Sequence, residues 1–107
     1  MVKANVMNMK VTKTRAHHLV ADVQCEEIFW SQDGRTFKNL QELALGLISM
    51  DDETYGHHVN NNKNDFAHWV REVVGDNELA RELETAVSRA DASDKVTTRV
   101  SYLNTVK

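Results

Sequence analysis

The sequence predicts a mainly helical α+β domain in which an N-terminal β-hairpin or small antiparallel sheet is followed by four to five short helices. Three observations support this prediction. An Asp-Gly pair between two short apolar runs is typical of a hairpin, apolar residues later recur with a helical period, and good helix caps separate the helical stretches. With 107 residues, 41% of them hydrophobic, and no proline, the chain has the size and composition of one globular domain.

Charge divides the chain into two unequal parts. The first 21 residues contain no acidic residue, whereas the whole chain has a net charge of -3; the four basic residues there are Lys3, Lys10, Lys13 and Arg15. We therefore predict a basic N-terminal arm over residues 1–18 and a single compact domain over residues 19–107. The acidic remainder argues against a nucleic-acid-binding protein, although the arm leaves that alternative open.

The single cysteine bears on the compartment. Cys25 has no second cysteine to pair with, which is typical of a reducing compartment, and its expected role is that of a small buried apolar residue. No apolar run approaches the ~20 residues that cross a bilayer, and no signal peptide is recognisable. We expect a cytoplasmic protein that does not enter a membrane.

The first third of the chain carries the strand signals. Residues 1–14 show no clear period and leave open a frayed end or a strand around Val6 to Val11. Residues 19–25 alternate between apolar and polar side chains, which predicts a half-buried strand, and a further strand follows at residues 28–30.

The hairpin is predicted from Asp33-Gly34, because a type I′ turn needs two residues that tolerate positive φ. A two-residue loop there places Trp30 opposite Phe37 as an aromatic cross-strand pair. Alternation directs one of Phe29 and Trp30 into the core and the other outward.

Helical periods follow. Asn39 is a good N-cap with Glu42 at capping-box spacing, and the first helix should end near Met50; its core stripe is Leu40, Leu43, Ala44 and Leu47. A short helix from Asp52 to Val59 should turn Tyr55 and Val59 inward, and the asparagine-rich residues 60–64 should break it.

Three caps define the second half of the chain. Asn64 or Asn62 caps a helix whose stripe is Phe66, Trp69, Val70 and Val73, and Gly75 fits its left-handed C-cap. Asp76 caps the next helix, with Leu79, Leu83, Ala86 and Val87 inward. After Ser88, the residues Ala92, Val96, Val100 and Leu103 favour a last helix, although threonines keep a strand from Val96 to Leu103 open.

One combined pattern extends over residues 28–87. Its parts are Phe29-Trp30, Asp33-Gly34, Asn39-Leu40 with Glu42-Leu43, Met50 with Asp52-Glu53-Thr54, His58-Val59-Asn60, Asn64-Asp65-Phe66 with Trp69-Val70, and Gly75-Asp76 with Leu79-Ala80. This order resembles a family of small domains of unknown function from archaea and candidate-phylum bacteria. The resemblance implies a prokaryotic domain with a hairpin followed by short helices, and it implies no reaction, cofactor or catalytic residue.

The densest polar cluster supplies a candidate metal or ligand site. Histidine and aspartate are suitable ligands for zinc, and the candidates are His57, His58, Asp65 and His68. Their spacing is poor, however, because adjacent helical residues such as His57 and His58 point about 100° apart, and no HExxH or CxxC motif is present. Helix capping and packing explain these residues better than a metal site does.

The leading hypothesis is a non-catalytic protein-interaction module, with a protein partner or self-association. An exposed aromatic hairpin, or the turn that follows His57, would form the contact surface; the candidate binding residues are Phe29, Trp30, His57, His58 and Asn60. No nucleophile motif, glycine-rich phosphate loop or paired acid and base is recognisable, so we expect neither an enzyme nor a cofactor.

Overall fold

The computed structural model describes residues 11–107. These residues form six α-helices and two short antiparallel hairpins. In chain order they are α1 (Lys13–Val20), β1 (Phe29–Trp30), β2 (Thr36–Phe37), α2 (Leu40–Ser49), α3 (Asp52–His58), β3 (Val59–Asn60), β4 (Lys63–Asn64), α4 (Asp65–Trp69), α5 (Asn77–Glu84) and α6 (Arg89–Val106). The predicted α+β class, mainly helical, is confirmed. The strand considered around Val6 to Val11 falls almost wholly outside the described residues.

Helix α6 is the central element of the core. It packs against α1, α2 and α5, and it buries the apolar residues Ala92, Val96, Val100 and Leu103. Spacings of three and four place these side chains on one helical face, and the Ser88 hydroxyl accepts the backbone N–H of Asp91 as the N-cap. The alternative of a strand from Val96 to Leu103 is therefore wrong.

The half-buried strand predicted over residues 19–25 is wrong. Thr12 caps helix α1 by accepting the N–H of Arg15, and the helix buries Ala16 and Leu19 at a helical spacing of three. This helix crosses the predicted boundary between an arm over residues 1–18 and a domain over residues 19–107. Cys25 begins a single 3₁₀ turn and is exposed, which corrects its expected burial.

The first hairpin forms where predicted, but its register differs by one residue. Phe29 faces Phe37 and Trp30 faces Thr36, so the predicted pairing of Trp30 with Phe37 is wrong. Only Gly34 in the turn has positive φ, at 93°, and its N–H bonds to the carbonyl of Ser31. A type I turn followed by a left-handed glycine makes a three-residue loop, whereas type I′ would need positive φ at Asp33 as well.

The predicted caps position the helices. Asn39 accepts the N–H of Glu42, Asn64 that of Ala67 and Asp76 that of Leu79; these caps begin α2, α4 and α5. Gly75 is left-handed, as predicted, and closes a wide π-type turn over Val70–Val74 that continues α4. Capping residues therefore account for most of the helix boundaries.

Two details of the helical half differ from the prediction. The asparagine-rich segment does more than break α3, because β3 and β4 pair across it as a second hairpin. Helix α5 ends at Glu84, so Val87 lies in the following turn and is 88% exposed instead of facing inward.

A buried ion pair fixes α5 on α6. Arg99 donates from Nε to Oδ2 of Asp76 at 2.7 Å and from Nη2 to Oδ1 at 2.9 Å. Asp76 is 1% exposed, so this two-bond contact compensates a charge that burial would otherwise make costly.

Candidate functional site

His58 lies at the end of α3 and connects three elements. The backbone N–H of Gln32, in the first hairpin, donates to its Nε2 at 2.9 Å. The Nδ1 atom lies 2.9 Å from Oδ2 of Asp65, the first residue of α4. Because Nε2 accepts from a backbone donor, the ring proton is on Nδ1 and is donated to the carboxylate. The imidazole thereby joins the first hairpin to α3 and α4.

Asp65 completes this connection. Lys63 Nζ donates to the same Oδ2 atom at 2.9 Å. Partial burial raises the pKa of Asp65, but the hydrogen bonds from His58 and Lys63 outweigh it and leave the pKa below its ordinary value. The carboxylate is therefore an ionised acceptor with two donors, as expected for a structural contact.

Aromatic rings enclose the imidazole. The Phe29 ring centroid lies 5.2 Å from that of His58, 5.0 Å from that of Phe66 and 5.9 Å from that of Trp69. Trp69 Nε1 donates to the Glu27 carbonyl oxygen at 2.8 Å. Edge and tilted contacts at these distances are typical of a packed aromatic core. Phe29 and His58 therefore belong to the interior.

Ser31, His58 and Asp65 invite comparison with a nucleophile, base and acid. The His58–Asp65 contact has the geometry of the second half of such a triad. Nε2, however, already accepts the Gln32 N–H, and Ser31 Oγ is buried with no hydrogen-bond partner among residues 11–107. A general base needs a free acceptor directed at the nucleophile, and this arrangement does not supply one.

The four candidate metal ligands are not brought together. His58 and Asp65 bond to each other, while His57 and His68 are both exposed, on α3 and α4 respectively. No group of three histidine, cysteine, aspartate or glutamate side chains within the described part of the chain could hold a metal ion. The geometry gives no support to the alternative of a metal-binding domain.

His68 borders a charged cleft on the outer side of α4. Two ion pairs line this cleft: Lys63 bonds to Asp65, and Arg71 bonds to Glu84 with Nη1 and Oε2 2.9 Å apart. Each cation in these pairs already faces a carboxylate. Such an arrangement is typical of a solvated surface network.

A second region presents apolar side chains to solvent. The large exposed hydrophobic residues include Trp30 (71% exposed), Leu45 (54%) and Ile48 (60%). Trp30 and Thr36 are paired across the hairpin, so their side chains share its outer face. Thr36 and Leu45 line one groove between the hairpin and α2. We call Trp30, Leu45 and Ile48 the apolar face.

Helix α2 forms a ridge between two grooves. The groove on the hairpin side has a volume of about 530 Å³ and includes Ile28, Leu45 and Gly46. The groove on the α6 side has a volume of about 310 Å³ and includes Ile48 and Ala90. The exposed side of α2 therefore carries Leu45 and Ile48 between the polar residues Gln41 and Ser49, and it is flanked by concave surface.

Only part of this face was expected from the sequence. Of the candidate binding residues, Trp30 is exposed on the apolar face, His57 and Asn60 are exposed elsewhere, and Phe29 and His58 are buried. Leu45 and Ile48 lie outside the core stripe from which the sequence predicts α2, so that stripe does not point to them. The available signal was that the run from Leu43 to Ile48 is apolar around the whole helix, which is more than one core stripe needs.

No helix formed by residues 11–107 combines the length and apolarity needed to span a membrane. Comparison of the chain with protein-family models, curated proteins and solved structures finds no match. Membership of the family that the sequence resembles stays a prediction.

Proposed function

We propose that this chain is a non-catalytic protein-interaction module that binds a protein partner through the apolar face. The observation that carries the proposal is the exposure of Trp30, Leu45 and Ile48 on two adjoining elements. Tryptophan is enriched among residues that dominate binding energy, and clustered exposed apolar side chains often mark interaction sites.

The surroundings of this face suit binding better than catalysis. The grooves beside α2 are lined by apolar and small side chains and by charged ones, namely Arg35, Lys38 and Glu42 on the hairpin side and Arg89 and Asp94 on the α6 side. An apolar centre with a polar rim is the usual anatomy of a protein interface. The polar cluster around His58, in contrast, is used within the fold.

Photo-crosslinking from single positions tests this function. A photoreactive phenylalanine analogue replaces Ile48 in one variant and Val87 in another, and each is irradiated in the native host. Both positions are exposed and apolar, but Val87 lines neither groove. We expect a discrete protein adduct from position 48 and none from position 87, with mass spectrometry identifying the adduct.

Surface substitutions give the matching measurement. Leu45→Ser combined with Ile48→Ser should abolish the adduct formed from a photoreactive group at position 30, whereas Val87→Ser should preserve it. Adducts that form equally from positions 48 and 87, or that contain only lipid or nucleic acid, would contradict the proposal.

A further inference from the structure

We infer that the partner of the apolar face is a second copy of this chain, with the two α2 helices packed antiparallel about a two-fold axis. This inference rests on the proposed function and specifies its partner. Its basis is the position of two apolar residues on α2 and the distribution of charge at the two ends of that helix.

The apolar residues are suited to pairing with themselves. Leu45 and Ile48 are three residues apart and therefore lie on one side of α2. A two-fold axis at the midpoint between them places Leu45 of each copy against Ile48 of the other copy, so the same contact forms two times. An isologous interface requires this kind of self-complementarity. Gln41 then lies one turn further from the axis, near the end of the partner's α2 at Ser49.

The two ends of α2 differ in their outward charges. Arg35 and Lys38 precede the helix and are paired there with Asp33 and Glu42, whereas Asp51, Asp52 and Glu53 follow it and only Asp52 among them is paired, with Arg89, within residues 11–107. The ten-residue helix is about 15 Å long, so an antiparallel arrangement brings the basic residues of one copy near the acidic residues of the other. A parallel arrangement would bring like charges together, which is unfavourable.

The intramolecular contacts leave these charges accessible. Lys38 Nζ is 3.9 Å from Glu42 Oε2 and the Lys38 side chain is 50% exposed. Arg35 Nε is 3.7 Å from Asp33 Oδ2. Asp52 receives a shorter bond, 2.9 Å, from Arg89 Nε but its side chain is 87% exposed. Glu53 is exposed and has no ion pair within residues 11–107. Lys38 and Glu53 are thus the best pair for a test.

Trp30 extends the contact beyond a single helix. It lies on the outer hairpin face, beside the groove that Leu45 lines. Interfaces that are stable in solution usually bury more than about 1,000 Å² in total, and two short helices alone provide little area. The hairpin on each side adds surface symmetrically, since the two-fold axis repeats every contact.

Sedimentation equilibrium of the full chain is the first test. We expect a reversible equilibrium between 12.2 kDa and twice that mass as concentration rises. Ile48→Glu should weaken dimerisation about tenfold or more, as expected for a central interface residue, whereas Val87→Glu should leave it unchanged. A 12.2 kDa species at every concentration into the millimolar range would overturn the inference.

Charge reversal tests the antiparallel direction. Lys38→Glu should weaken the dimer, and the double variant Lys38→Glu with Glu53→Lys should restore it. Disulfide trapping gives a second measurement, in a chain carrying Cys25→Ser. Mixing Leu45→Cys with Ile48→Cys should favour the mixed disulfide, since these positions face each other across the axis. Preference for the 45–45 and 48–48 disulfides would overturn the antiparallel arrangement.

Failure of this inference can be separated from failure of the proposed function. If the chain is monomeric yet position 48 cross-links to a different protein, the interaction module stands and self-association is wrong. If neither a dimer nor an adduct from position 48 forms, both proposals fail.

Discussion

Phe29 and Trp30 are neighbours in one strand, yet they belong to two opposite regions of the molecule. Phe29 packs on His58 and Phe66 within the core, whereas Trp30 is 71% exposed on the outer face of the hairpin. Around Phe29, polar groups such as His58 and Trp69 Nε1 have partners within the chain. Trp30, Leu45 and Ile48, in contrast, expose large apolar side chains to solvent.

This difference is the basis of the proposed function. Histidines and aspartates attract attention as candidate ligands or catalysts, but here the His58–Asp65 pair joins secondary-structure elements. The apolar face offers surface that burial would stabilise, at roughly 25 cal/mol per Å² removed from water. In this chain the plain apolar residues are the better indication of a binding site.

The largest expected contrast is between the two hairpin aromatics. Phe29→Ala should lower the free energy of unfolding by about 3–5 kcal/mol, because it leaves a cavity among the core rings. Trp30→Ala should change it by less than about 0.5 kcal/mol, as is usual for an exposed position. Urea denaturation measures both, with Phe29→Leu as a milder core variant. Equal losses would show that Trp30 is also structural.

The adjacent histidines should also differ. His58→Ala removes packing, leaves the Gln32 N–H without its acceptor and leaves Lys63 as the remaining side-chain donor to Asp65, at a cost of about 2–4 kcal/mol. His57→Ala, at an exposed position, should cost less than about 0.5 kcal/mol. Amide hydrogen exchange at Gln32 should become faster only in the His58 variant. Unchanged exchange there would contradict the assigned hydrogen bond.

Two glycines test how closely the hairpin sits on α2. A Cβ atom at Gly46 would overlap the ring of Phe37, whereas one at Gly56 would meet open space. Gly46→Ala should therefore destabilise by about 1–3 kcal/mol, and Gly56→Ala should stabilise by about 0.5–1 kcal/mol through helix propensity. Thermal unfolding of both variants gives the sign of each change in stability. If both substitutions stabilise the protein, the hairpin is packed only loosely on α2.

The smallest expected effect is the pH dependence of stability that Asp65 contributes. Its pKa is lowered in the folded state, so its contribution to stability is present at neutral pH and is lost as pH falls below about 4, the ordinary range of an aspartate. Asp65→Asn should cost about 1 kcal/mol at pH 7 and should flatten the acid side of the stability profile. An identical profile for the variant would show that other carboxylates cause the loss of stability at low pH.

Local signals determined much of the architecture. The caps Asn39, Asn64 and Asp76 and the left-handed Gly75 are short-range features, because each depends on bonds to backbone groups a few residues away. The fold class and most helix positions follow from such features and from the apolar period. The last segment left a strand open as an alternative because its threonines lower helix propensity.

The errors arose where two interactions competed over a few residues. Residues 19–25 alternate like a strand, but the Thr12 cap and the buried pair Ala16 and Leu19 favour a helix through residue 20. The hairpin loop has three residues instead of two, and a shift of one residue reverses which aromatic faces the core. A weak local pattern cannot decide between local structures that differ so little in free energy.

By itself the sequence determined where α2, α4 and α5 begin, since capping and apolar period are local properties of the chain. The tertiary structure decided that His58 and Asp65 would serve the fold and that Leu45, Ile48 and Trp30 would share one exposed face. Those outcomes depend on bringing together residues distant in sequence, as in the hydrogen bond from Gln32 to His58 and the groove that Thr36 and Leu45 both line. The free energy of burial is set by such contacts, which no single segment specifies alone.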